Sequence, residues 1–182
     1  MDAYEIIAQA IGIVAMALNI LSFQQKVQRN IIIMQFFGAS LFAVNMFMIG
    51  ATVGGFLNLL GALRAIVFAN KEKFRADKII WVHFFNVLYL VSYILTFTVF
   101  GKELTIINFV IEFLPIIGMV ASGIGFYLSE AKTVRKLGLV SSPSWLVYNI
   151  YNMAVGGIIC EILAMVSIVI GMIRHDIKKQ EK

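Results

Sequence analysis

Three ionisable side chains stand inside long apolar runs of this 182-residue chain: Glu112, Glu161 and Arg64. Each would cost roughly 2.5–3.5 kcal/mol at membrane depth, so such groups face a bundle interior or a polar cavity. Glu112 shares one helical face with Asn108 and Pro115. Its carboxyl could line a cavity and exchange protons, or it could lock two helices through a hydrogen bond. Pro115 cannot donate to the helix ladder, frees a carbonyl near Ile111 and reads as a hinge. Glu161, one turn past Gly157, reads as cavity-lining, proton-coupling, or a partner for Arg64. Arg64 itself is expected either to snorkel to an interface or to pair with a buried carboxylate.

A second set is polar but uncharged. Ser142, Trp145, Asn149 and Asn152 recur at i, i+3, i+7 and i+10, which makes one stripe along a helix. A polar stripe on a membrane helix turns toward protein or water, so these residues are candidates for binding a solute. Alternatively, the two Asn bind neighbouring backbones and Trp145 anchors at the interface. Gln9, Gly12 and Asn19 form a similar face earlier in the chain, and Asn45 stands alone in the next apolar run. His83 could shuttle protons near neutral pH or stay solvated near the inner interface. The single Cys160 can form no disulfide within the chain and reads as a small buried hydrophobe. Two His and one Cys supply no conventional zinc site, and no phosphate-binding G-x-x-x-x-G-K-[ST] loop is present. No nucleophile with a paired acid and base is evident, so neither an enzyme nor a cofactor is expected.

The elements that must position these residues follow from hydropathy. Hydrophobic residues make up 60% of the chain, charged residues 14%, and the mean hydropathy is +0.90. A soluble domain of this size cannot hide so much apolar surface. A hydrocarbon core of ~30 Å needs about 20 apolar residues per helix. Seven candidate spans result: 5–22, 31–49, 52–70, 79–100, 104–127, 134–152 and 154–174. Polar or glycine-rich breaks separate them, and Gly54-Gly55 and Gly156-Gly157 read as tight turns. Thirteen of the 15 Lys and Arg fall in the loops after spans one, three and five or in the tail, while Lys102 alone lies on the other side. The positive-inside rule then puts the amino terminus outside and the carboxyl terminus in the cytoplasm. Met1–Glu5 lacks the basic start of a cleavable signal, so the first span is expected to be retained. The net charge of +5 is explained by lipid headgroups and topology, with no nucleic-acid partner expected.

Val53-Gly54-Gly55 aligns with Val155-Gly156-Gly157, Asn45 with Asn149, Phe23 with Phe126, and Gln9 with Glu112. Spans one to three therefore repeat as spans five to seven, with span four between them. This predicts an all-α integral membrane protein of seven helices: a three-helix repeat over 1–70, a basic loop and linker helix over 71–103, and a second repeat with a basic tail over 104–182. With one helix between them, the two trios share one orientation, related by an axis along the membrane normal. Such trios enclose a midplane cavity suited to alternating access, here for a small neutral polar solute such as a sugar or nucleoside. Other readings are a proton-coupled carrier using Glu112 or Glu161, and a membrane receptor or assembly protein that transports nothing. Partners are the bilayer and the solute, and an oligomer is left open.

This 3+1+3 plan resembles the SWEET and PQ-loop transporters. A closer resemblance is to the bacterial inner-membrane YgjV family. It is carried by Leu21–Lys26 (LSFQQK), Arg135–Asn149 (RKLGLVSSPSWLVYN) and Gly156–Leu163 (GGIICEIL), with Arg174 and Asp176 beyond. The resemblance implies an inner-membrane location and a transport role. In sugar-carrying SWEET proteins an Asn on the third helix of a repeat and a Trp or Ser on the second line the pocket, which implies roles for Asn58 and Trp145. The Pro-Gln pair is absent, and Phe23-Gln24 and Phe126-Tyr127 stand in its place.

Overall fold

The computed structural model describes residues 3–49, 52–152 and 155–177, and all regular structure among them is helical. The helices are α1 (Ala3–Ser22), α2 (Gln28–Met48), α3 (Thr52–Ala69), the single turn α4 (Lys71–Phe74), α5 (Ile80–Thr98), α6 (Ile106–Tyr127), α7 (Ala131–Tyr151) and α8 (Val155–Met172). A π-helical turn, Ile173–Ile177, extends α8. The expected spans fall on α1, α2, α3, α5, α6, α7 and α8. Gly50 and the basic tail residues Lys178, Lys179 and Lys182 lie outside the described residues.

Five described helices are long and apolar enough to cross a bilayer: α1, α2, α5, α6, and α8 with its π turn. The apolar part of α3, Val53–Ala69, is shorter. Helix α7 does not join the five because Lys132, Arg135 and Lys136 fill its first turns and Ser141-Ser142-Pro143-Ser144 its middle. Apolar side chains cover the outside of the molecule. Ile13, Ile94, Ile106 and Val166 are all more than half exposed, as lipid-facing residues would be.

Local chemistry sets the ends. Gly101, at φ +70, turns the chain between α5 and α6 in a conformation that suits a residue without Cβ. The Thr105 hydroxyl then accepts from the Asn108 backbone N–H at 3.1 Å and starts α6. Helix α6 runs unbroken through the fully buried Pro115.

The paired glycines are not turns. Gly54-Gly55 and Gly156-Gly157 lie inside the first turns of α3 and α8. A methyl at Gly55 would sit 2.7 Å from the Phe47 ring, and one at Gly157 would sit 2.6 Å from the Asn149 side chain. Three of these four glycines let a facing helix approach closely, which is how membrane helices pack without a hydrophobic driving force. Gly156 alone faces open space.

Helix α2 packs against α1 and α3, and α7 packs against α6 and α8. Between the groups, α1 meets α8, α3 meets α6, and α2 meets α7. Helix α5 lies on α3 and α6, burying Val82, Phe85 and Tyr89 from one face. Phe68 of α3 stands between Phe85 and Phe126, with ring centroids 6.3 and 6.5 Å away, and these aromatics anchor the core.

Candidate functional site

Glycine and small residues along α6 open the space in which polar groups gather. Gly118 lets the Trp145 indole lie against α6, since a methyl there would come within 2.9 Å of the ring. Gly123 faces the Arg64 stem at 3.7 Å, so the arginine reaches from α3 across to α6. A cavity of about 140 Å³ results, room for several waters or a small solute.

Its wall draws on six helices. Asn19 comes from α1, Gln35 and Met46 from α2, and Asn58 and Arg64 from α3. On the other side stand Met119 and Ser122 from α6, Ser142, Trp145 and Asn149 from α7, and Gly157, Cys160 and Glu161 from α8. Asn58 donates to the Gly54 carbonyl at 3.0 Å and leans on the Met46 sulfur at 3.4 Å. Asn149 is buried against Gly157. Ser142 of α7 and Glu161 of α8 both face this cavity. Asn19 points its amide at the Cys160 sulfur, 3.9 Å away.

Arg64 follows neither sequence expectation. It is only 6% exposed, so it does not snorkel, and among the described residues no carboxylate lies within ion-pair distance. Its Nη1 donates to the Met119 carbonyl at 2.7 Å and to the Tyr89 hydroxyl at 3.2 Å, and the Phe126 ring lies 4.7 Å from the guanidinium carbon. Nothing local in the sequence announces Tyr89 or Met119 as its partners, because both belong to other helices.

Several other residues singled out by spacing lie elsewhere. Glu112 is buried, but its Oε1 pairs with Lys102 Nζ at 3.0 Å. Lys102 also donates to the exposed Asn152 at 3.3 Å. Asn108 donates to the Glu103 carbonyl at 2.9 Å and accepts from the Tyr151 hydroxyl at 3.1 Å. Glu112, Asn108 and Asn152 thus form a separate group at the far end of α6 and α7, outside the cavity wall. Asn45, aligned with Asn149, donates instead to the Ala8 carbonyl at 2.7 Å and sits over Gly12 of α1. Helical spacing finds the polar face but cannot say which neighbour the face meets.

The opposite end is knitted across the helix groups. Gln24 donates to Ser167, Gln28 to the carbonyls of Gly125 and Phe126, and Lys71 to the Tyr127 carbonyl, at 2.7–3.0 Å. Burial holds the Lys71 ammonium below the usual lysine range. Arg135 donates to the carbonyls of Phe23 and Gln25 and pairs with Asp176. Among the described residues no three His, Cys, Asp or Glu side chains gather as metal ligands.

A family model of bacterial inner membrane proteins, Imp-YgjV, matches residues 6–179. No curated protein and no solved structure matches the chain.

Proposed function

The chain belongs to the Imp-YgjV family of bacterial inner membrane proteins, and from that premise we propose a carrier of a small polar solute that binds in the cavity between α1–α3 and α6–α8. One observation carries the reading: six helices, three from each group, converge on one hollow where polar side chains stand among apolar ones, and α5 contributes none of its wall. The packing supports two equivalent trios, since exchanging them turns the α1–α8 contact into the α6–α3 contact. That is the arrangement of parallel repeats that rock about a shared midplane site.

The described bonds between the trios also favour alternating access. Beside Arg64–Met119 and Asn19–Cys160 at the cavity, they gather where α1 ends and α2 begins, in Gln24–Ser167, Gln28–Phe126 and Arg135–Gln25. At the other end Lys102, Glu112 and Asn152 link only the α5–α6 loop with α6 and α7. With the amino terminus outside, as the basic loops argue, this is a carrier sealed on the cytoplasmic side. Proton coupling, if present, belongs to Glu161, which faces the cavity, and not to Glu112, which is held by Lys102.

The test labels Trp145→Cys and Asn149→Cys from each membrane side in turn. A Cys160→Ala background is required, because Cys160 lines the same cavity. A carrier shows labelling from both sides and solute uptake into proteoliposomes. Labelling from one side only, with no uptake of any solute, would instead mark a receptor or assembly protein.

A further inference from the structure

The guanidinium of Arg64 is anchored through one nitrogen only. Nη1 holds Met119 and Tyr89, while Nε and Nη2 make no hydrogen bond among the described residues; Nε is sealed inside the protein, and Nη2 keeps accessible surface. Nε and Nη2 form the edge of an arginine that grips a planar carboxylate with two parallel N–H donors. This chain uses that edge once already. In Arg135, Nη1 holds the backbone carbonyls of Phe23 and Gln25, and Nε and Nη2 take the two oxygens of Asp176. Arg64 repeats the first half of this arrangement, but no carboxylate of the described protein supplies the second. Glu161, the acid on the cavity wall, lies beyond ion-pair reach of Arg64. A buried cation without a counter-charge is strongly unfavourable, and a ligand that brings one recovers that cost as affinity.

We infer that the cavity receives a small organic carboxylate, drawn by the unpaired charge of Arg64 and held by its Nη2 N–H groups. Trp145 and Asn149 on the same wall face the rest of the solute. This inference rests on the carrier reading only in taking the cavity as the solute site, and it replaces the neutral sugar or nucleoside expected from the sequence with an anion.

The experiment measures binding before transport. Purified protein in lipid nanodiscs is titrated with L-lactate, with its neutral isostere L-lactamide, and with inorganic phosphate, following thermal unfolding. Lactate is expected to raise the melting temperature at concentrations about tenfold or more below those needed for lactamide, the ratio set by charge-assisted hydrogen bonds. Arg64→Gln is expected to abolish the preference. Arg64→Lys should keep a reduced one, since it retains the charge without the directed N–H donors of the guanidinium. Equal responses to acid and amide, no response to either, stronger binding of phosphate, or an unchanged preference in Arg64→Gln would each overturn the inference. The contrast between acid and amide on the unaltered protein decides even if the variants fail to fold. Lactate binding without uptake would keep the anion site and remove the carrier. Uptake at an unchanged rate in Arg64→Gln would do the reverse.

Discussion

Arg135 and Asp176 meet edge to edge, with Nε donating to Oδ2 at 2.9 Å and Nη2 to Oδ1, while Nη1 reaches back to the Gln25 carbonyl at 2.9 Å. The two residues lie 41 positions apart, and the side chain of neither is more than 6% exposed. The pair therefore ties α7 to the π turn after α8 and, through Gln25, to the loop after α1. Close packing reinforces it, since a methyl at Gly171 would collide with the Phe23 carbonyl.

Breaking that pair should both destabilise the protein and unseal it. Asp176→Asn leaves a buried guanidinium without its anion, a loss of about 3–5 kcal/mol for a pair broken from one side. The expected result is a lower melting temperature together with faster labelling of Trp145→Cys from the basic side, in the Cys160→Ala background. Unchanged labelling from that side would mean the pair is structural and no part of a gate.

The two glycines that open α8 should behave oppositely. Gly157→Ala drives a methyl into Asn149 and is expected to cost roughly 1–3 kcal/mol as overpacking, weakening solute binding as Asn149 is displaced. Gly156→Ala meets nothing within 4 Å and should be neutral or stabilising by up to about 1 kcal/mol, because alanine favours a helix interior. Thermal unfolding of the two variants side by side checks the contrast.

Asn45 and Asn149 provide a second matched pair. Asn45→Ala removes the bond to the Ala8 carbonyl and should cost about 1 kcal/mol of stability without altering binding in the cavity. Asn149→Ala should reduce binding by a larger factor than it reduces stability. Titration of both variants with L-lactate measures the difference, and equal binding losses would contradict the assignment of the wall.

Glu112 should prove separable from the site. Lys102 is about one-third exposed and can be solvated without its partner, so Glu112→Gln should lower stability by no more than about 1 kcal/mol. Binding of L-lactate should stay within twofold or so of the unaltered protein. A binding loss as large as that of Asn149→Ala would put Glu112 back in the solute path.

The sequence alone was enough to show an apolar solvent and to place seven of the eight described α-helices, missing only the single turn α4 and the π turn after α8. These follow from hydropathy and from local breakers such as Gly101 and the charged run after Ala69, which act within a few residues. Polar faces were legible for the same reason: Asn108, Glu112 and Pro115 share one side of α6 whatever that side meets. Tertiary structure alone decided what each face meets. Asn45 and Asn149 align in the sequence, yet one bonds to the α1 backbone and the other faces the cavity, because α2 leans on α1 at Gly12 while α7 leans on α8 at Gly157. Glu112 was captured by a lysine from the neighbouring loop. Arg64 found a tyrosine and a carbonyl on two other helices and no acid among the described residues. Lateral contact between helices sets the chemistry of a membrane interior, and no periodicity within one helix encodes its neighbour.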